Sequence, residues 1–404
     1  MAQKFQEAGF CIVEADEKPD IAIINTCTVT NMSDRKSRQM LRKVKEENKE
    51  AVVVAVGCYA QVAKEKLEKI EEIDLVLGNS EKNDIVEYVE KYLNKRQKIY
   101  AVTDISKQKE FTDFGPTTYT EKTRASIKVQ DGCNNFCTYC LIPYARGRIR
   151  SRNPQSIIEE VTKITQKGIK EVVITGIHIA SYGKDLNGYM LIDLLEDLNK
   201  IEGIKRIRLG SLEPTIITED FAKRLSCLEK ICDHFHLSLQ SGCDETLKRM
   251  NRHYTTEEFK NSVQILRKYF KNVNLTTDII VGFPGETEEE FKKTYQFLSD
   301  IKFYKMHVFK YSKRDGTPAS IMQNQIDGNI KEERSKMLIE LSNKNQADYN
   351  RAYSGKEVEV LFEEQEGEHF VGHTTNYMRV KSKDSNIKES EFYNVRIGEN
   401  AEFC

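Results

Sequence analysis

Cys133, Cys137 and Cys140 stand within DGCNNFCTYCLIPYARGR at the spacing C-x3-C-x2-C. Three thiolates on so short a loop converge on one point but make only three bonds, so a metal centre held there keeps one coordination position open for a ligand. A structural zinc ion normally closes its shell with four Cys or His ligands. Nearby, only Tyr139, Tyr144 and arginines could supply a fourth. A [4Fe-4S] cluster with one iron lacking a cysteine fits better. Two other readings remain open: a zinc knuckle with a remote fourth ligand, and three unliganded core cysteines, which sit poorly among Asn, Thr and Gly. Cys27 and Cys58 form a second metal candidate, against the alternative of two unrelated core cysteines. Cys11 begins an extended piece, FCIVEA, and is not counted with them.

The elements around these residues explain why they would meet. DIAIINTC and AVVVAVGC are apolar strand candidates that end in Cys27 and Cys58, and IDLVLGN is a third. Helix-like segments alternate with them: KFQEAGF closing at Gly9, SDRKSRQMLRKVKEEN with Ser33 as its cap, and Glu81 to Tyr92. Strands alternating with helices imply a parallel sheet with ligands at the carboxyl ends of its strands. A doubly wound sheet does not usually begin in a helix, so the expectation is that a first strand is missing and the chain lacks its natural start.

After a polar connector, RASIKVQDG is predicted as a strand running straight into the cysteine loop, and five more helix-then-strand units follow it. That makes about six βα units, a partial or complete parallel barrel with its chemistry where the strands end. Polar groups stand at those ends: Gly176 and His178, Ser211 and Glu213, Gln240 and Ser241, then Asp278 with the glycines of GFPGE, Gly282 and Gly285. A charged helix over 331–352 follows. The last 50 or so residues alternate in short segments, which predicts a small antiparallel β-barrel. That module carries six Lys or Arg against eleven Asp or Glu, so its RNA contact is expected to be local, at Tyr377, Arg379, Lys381 and Lys383.

Composition narrows the class. At 404 residues the chain is long enough for two to four domains. Its 39% hydrophobic and 31% charged residues read as a globular, soluble protein. No run approaches the roughly 18 to 20 apolar residues of a membrane helix, and no signal peptide opens the chain, which predicts a cytoplasmic protein without membrane. Ten cysteines without regular spacing outside the central triplet argue against a secreted disulfide framework. A net charge of −1 is silent on nucleic acid, so local clusters must carry that argument.

Along nearly its whole length the chain resembles the radical S-adenosylmethionine (SAM) methylthiotransferases, at INTCTVTNMSDRKSRQ, AVGCYAQ, DGCNNFCTYCLIPYARGRIRSR and DIIVGFPGET. Within that family TCTVTNMSDRKSRQ and YARGRIRSR look most like the tRNA enzymes acting on N6-threonylcarbamoyladenosine. The resemblance implies an incomplete flavodoxin-like parallel sheet over residues 1–100, a linker over 101–123, a radical SAM (βα)6 partial barrel with trailing helix over 124–353, and a TRAM β-barrel over 354–404. It implies two [4Fe-4S] clusters, one on Cys133, Cys137 and Cys140, the other an auxiliary cluster with an incomplete ligand set on Cys27 and Cys58. Tyr139 is expected beside the first cluster. Ser211, Glu213, Gln240, Gly282 and Gly285 are expected to help hold SAM.

The activity so implied adds a methylthio group at C2 of the modified adenine beside the anticodon. A tRNA anticodon loop, a reductase or flavodoxin-type electron donor and a sulfur source are the expected partners. RNA contact is placed on Arg146, Arg148, Arg150 and Arg152, which at every second residue of an extended segment would project from one side toward phosphates. Arg35, Lys36, Arg38, Arg42 and Lys43 form a second basic surface. Three other functions compete: methylthiolation of isopentenyladenosine, modification of a ribosomal-protein aspartate, and noncatalytic RNA binding with a structural metal.

Overall fold

The computed structural model describes residues 1–14, 17–28, 30–113 and 123–404. Residues 114–122 of the expected linker and Ala15 of the extended piece after Cys11 lie outside the described residues. The chain folds into two compact units, one of residues 1–118, 131–150 and 312–321, the other of 119–130, 151–311 and 322–404.

In the first unit β1 (Ile21–Thr26), β2 (Val52–Gly57), β3 (Leu75–Leu77) and β4 (Ile99–Ala101) form a parallel sheet in that order. VVVAVG is buried at every position of β2, as a strand covered on both faces must be. Leu41 of the helix Asn31–Glu47 packs with Val53, Ala55 and Val76 on one face, and Val89 and Tyr92 of the helix Ile85–Lys95 pack with Val52, Val54 and Val56 on the other. Ser33 is not the cap of the basic helix. That helix starts at Asn31, and the extended Thr30 caps it, its hydroxyl accepting the Ser33 N–H at 3.1 Å.

In the second unit β5 (Arg124–Asp131), with the two-residue β6 (Arg150–Ser151), β7 (Glu171–Gly176) and β8 (Arg206–Leu209) forms one sheet of order β6-β5-β7-β8. β9 (His234–His236), β10 (Asn274–Val281) and β11 (Lys305–Lys310) form a second of order β11-β10-β9. Parallel bridges Ile207↔Ile231 and Leu212↔Leu237 join the two sheets. Six long-range parallel strands thus make the expected partial barrel, filled by residues such as Ile127, Ile174, Ile207, Phe235 and Leu275. A short helix, Asp244–Arg249, was not legible in the sequence. The trailing helix spans Gly328–Ala352 and pins β11, the Met306 N–H donating to Ser342 Oγ at 2.9 Å.

The chain ends in an antiparallel curled sheet of order β15-β12-β13-β14-β16, from β12 (Glu357–Glu366), β13 (His369–Thr374), β14 (Arg379–Ser382), β15 (Phe392–Arg396) and β16 (Glu402–Phe403). It docks on the amino ends of β7, β8 and β9. Glu171 accepts from Arg208 at 3.0 Å, while Arg208 also donates to the Thr375 carbonyl at 3.0 Å and Arg206 to Glu359 Oε1 at 2.8 Å. The Tyr377 ring lies between His234 and His373, at centroid distances of 4.8 and 4.6 Å, with the Arg208 guanidinium 4.6 Å from its centre. Of the residues expected to meet RNA here, Tyr377 takes part in docking, and Arg379, Lys381 and Lys383 form surface ion pairs with Glu366, Glu402 and Glu368.

Removing Glu171 leaves two arginines, Arg206 and Arg208, buried without their shared carboxylate. Glu171→Ala is expected to lower stability by about 3–5 kcal/mol, read as a lower urea midpoint. An unchanged midpoint would show that the docking does not depend on this carboxylate.

Candidate active site

The cysteine loop belongs to the first unit and begins where β5 ends. Gly132 turns the chain at φ +73°, and a Cβ there would collide with the Arg148 carbonyl, so only glycine lets the two loop limbs approach. The Cys133 N–H donates to the Gly147 carbonyl at 3.0 Å, which closes the loop, and the Cys140 N–H donates to the Cys137 carbonyl at 2.9 Å. Phe136 takes a left-handed φ of +49° and packs edge-on against Tyr144 at 5.6 Å. Tyr139 sits half-buried within the same loop.

Among the described residues no group of three His, Cys, Asp or Glu side chains stands in metal-binding geometry. Backbone donors nevertheless face two of the three thiols. The Asn135 N–H points at Cys133 Sγ at 3.5 Å and the Ile142 N–H at Cys140 Sγ at 3.4 Å. Such donors favour the thiolate form and tune a sulfur-ligated iron centre.

Cys27 and Cys58 follow Thr26 and Gly57, which face each other in the parallel register of β1 and β2. Both cysteines therefore leave the same edge of the sheet. Gly57, at φ +105°, has no room for a Cβ beside the Thr26 backbone. Cys27 is exposed, and Cys58 opens the helix Cys58–Val62. Arg146 ties this pair to the cysteine loop, its Nε donating to Cys58 Sγ at 3.0 Å while Nη1 stands 3.5 Å from Asp131. Burial works against the Arg146 charge, but Cys58, Asp131 and Cys27 outweigh it and hold its pKa above the ordinary arginine value.

The arginine ladder is therefore corrected. The segment is not extended: Ile142–Arg146 is a helix, Gly147 breaks it, and only Arg150–Ser151 is strand. Arg150 and Arg152 are buried, facing Asp131 and Glu160 respectively. Only Arg148 is exposed, its guanidinium 4.6 Å from the centre of the Phe136 ring. The charges alternate in sequence, but carboxylates elsewhere in the chain claim three of the four.

In the second unit the expected cofactor residues do gather at the carboxyl ends of barrel strands. Ser211 and Glu213 follow β8. Glu213 Oε2 lies 3.0 Å from His178 Nε2, and Glu213 Oε1 accepts from Arg252 at 2.8 Å. The His178 N–H donates to Gln130 Oε1 of β5 at 2.7 Å. Gln240, at φ +70°, bridges to β10, its N–H donating to the Asp278 carbonyl at 2.8 Å. The Gly282 and Gly285 turn is held by Glu286, which accepts the Gly282 N–H at 2.7 Å and pairs with the buried Arg334 at 2.7 Å. Burial pushes the Glu286 carboxyl up, against the pull of the Gly282 N–H and Arg334. Arg252 and Arg334 had no signal in the sequence, since neither stands at a strand end.

Residues 127–298 match the Radical SAM superfamily, and residues 1–78 match Uncharacterized protein family UPF0004. The threonylcarbamoyladenosine tRNA methylthiotransferase of Bacillus subtilis is 42% identical over 98% of this chain and 89% of its own length. The chain belongs to the radical SAM tRNA methylthiotransferases. The Aquifex aeolicus enzyme of the same name is 43% identical over 89% of this chain and 88% of its own length. A Clostridium novyi tRNA-2-methylthio-N(6)-dimethylallyladenosine synthase is 36% identical over 89% of this chain and 80% of its own length. The radical SAM methyltransferase TsrM of Kitasatospora setae, solved with cobalamin and a [4Fe-4S] cluster bound, shares the fold at TM-score 0.56 and 16% identity, over 74% of this chain and 65% of its own.

Gly132→Ala should spoil the closure of the cysteine loop without removing a thiol. After anaerobic reconstitution it is expected to bind less than half the iron of the unaltered chain. Full iron binding would show that the close approach to Arg148 is dispensable.

Proposed function

We propose that this chain is a tRNA methylthiotransferase that places a methylthio group at C2 of N6-threonylcarbamoyladenosine beside the anticodon. The observation that carries this reading is the 42% identity over 98% of the chain, a span that takes in both cysteine sets and the barrel. Cys133, Cys137 and Cys140 hold a [4Fe-4S] cluster, Tyr139 packs beside it, and Cys27 and Cys58 contribute to an auxiliary cluster. When bound, the first cluster and SAM supply the one-electron chemistry that an inert aromatic C–H requires.

The chain's own residues bind and orient. Gly132 and Gly147 let the loop close, and the Asn135 and Ile142 N–H groups hold the outer thiolates in place. At the barrel mouth Ser211, Glu213, Gln240 and the Gly282 to Gly285 turn take the cofactor. Glu213 acts there as a preorganised anion, its two oxygens fixed by His178 and Arg252, so it needs no reorganisation when a ligand arrives. Arg148 is the cation of the former ladder best exposed for RNA phosphate. Arg146, Arg150 and Arg152 support the loop around it.

The terminal curled sheet is a TRAM module, and residues 1–100, 124–353 and 354–404 are the functional domains. A reductase or flavodoxin-type donor and a sulfur source complete the reaction in the cytoplasm. No helix among the described residues is long and apolar enough to cross a membrane. A second reading, the dimethylallyladenosine substrate, rests on the 36% identical Clostridium novyi relative.

Nucleoside analysis decides between them. The anaerobically reconstituted chain, given SAM, reductant and unmethylthiolated tRNA, is expected to yield the 2-methylthio derivative of threonylcarbamoyladenosine. Conversion of the dimethylallyl nucleoside alone would overturn the assignment. Cys137→Ala should reduce SAM cleavage at least about a thousandfold, since it removes a ligand of the radical-generating centre.

A further inference from the structure

A cavity of about 540 Å³ opens within the first unit, large enough for a nucleoside-sized ligand. Its walls come from the first turns of the helix Asn31–Glu47, the segment after Cys58, the two residues Leu141 and Tyr144 beyond Cys140, and the stretch at Arg314. Its lining is charged. Arg314 is 3% exposed, and its two terminal nitrogens donate to Asn31 at 2.9 Å, Thr28 at 2.5 Å and Asp34 at 2.8 Å. Arg314 Nε and Asp34 Oδ1 are buried with no hydrogen-bond partner. Arg38 spends one terminal nitrogen on the Tyr59 hydroxyl at 2.6 Å, and Tyr144 offers a half-exposed ring.

An occupant that satisfies these groups must accept from arginine and donate to a carboxylate. A threonylcarbamoyl substituent does both, through its carboxylate and through its hydroxyl and N–H groups. A dimethylallyl substituent does neither, and buried polar groups left unpaired are what a site uses to reject an analogue. The helix beginning at Asn31 adds its positive end on the same side. Burial pushes the Asp34 carboxyl up, against the pull of Arg314, Thr28 and Arg38.

We propose that this cavity receives the threonylcarbamoyl group of the substrate nucleoside, with Arg38 and Arg314 reading its carboxylate and Tyr144 stacking on the base. The proposal rests on the methylthiotransferase reading above. It makes Arg38 and Arg314 specificity-determining residues, separating this substrate from the dimethylallyl one.

The test titrates the full reconstituted chain with three free nucleosides, threonylcarbamoyladenosine, its methyl ester and dimethylallyladenosine, by calorimetry. The acid is expected to bind at least about tenfold more tightly than the ester, and Arg38→Gln should erase that preference. In steady state Arg38→Gln should raise KM for the modified tRNA about tenfold more than it lowers kcat. Equal binding of acid and ester, or a preference that survives Arg38→Gln, overturns the proposal. If Arg38→Gln weakens every tRNA equally while the nucleoside preference persists, Arg38 holds a backbone phosphate and the proposal fails. A wild-type chain that binds the acid selectively yet converts no tRNA would refute the activity and leave the cavity assignment standing.

Discussion

A guanidinium sealed from water must keep acceptors on its N–H groups, because an unpaired buried charge costs several kcal/mol. In this chain the terminal nitrogens of Arg314, Arg334 and Arg206 meet that demand while their Nε groups stay buried without an acceptor, and each time the acceptor fixes two elements that are otherwise unrelated. Arg314 clamps the stretch after β11 to the start of the helix Asn31–Glu47. Arg334 of the trailing helix seizes Glu286 and with it the glycine turn after β10. Arg208 and Arg206 join β8 to the terminal curled sheet. Such pairs add little net stability over apolar packing, but they tolerate few alternative registers.

The same constraint explains where the sequence could be read and where it could not. Apolar runs ending in Cys27 and Cys58 betrayed two neighbouring strands, because burial on both faces demands an uninterrupted apolar strand such as β2. The cysteine spacing stated its chemistry outright. The arginines after it did not, since a charge is a surface residue or a clamp depending on which carboxylate the fold brings to it. Asp131 and Glu160 claim Arg150 and Arg152, and nothing in the local spacing announces either partner. Arg314 and Asp34 meet across 280 positions, so the cavity they line was invisible to any window along the chain. Tyr377 is ambiguous for a related reason: an aromatic beside cations suits RNA, yet His234 and His373 both stack against its ring.

Glycine sets the second limit on the site. The loop closes only because Gly132 lets backbone pass backbone at Arg148 without a Cβ, and within the closed loop two N–H groups face thiol sulfurs. A sulfur-bound iron centre needs negative charge on its ligands, and backbone donors stabilise that charge without adding a competing ligand. Arg146, on the helix that follows Cys140, extends the arrangement to Cys58.

In the barrel, the docking contacts and the expected cofactor residues occupy opposite ends. The terminal module grips Arg206, Arg208 and His234, toward the amino ends of their strands. Glu213, Gln240 and the glycine turn lie beyond the carboxyl ends of β8, β9 and β10. Parallel strands make that division possible, because every strand presents the same end to the same side. A docking contact at one end can thus be strong and buried without competing for the polar groups a cofactor needs at the other. Glu213 shows the consequence: His178 and Arg252 hold its two oxygens beyond the carboxyl end of β8, away from the docking contacts of Arg206 and Arg208.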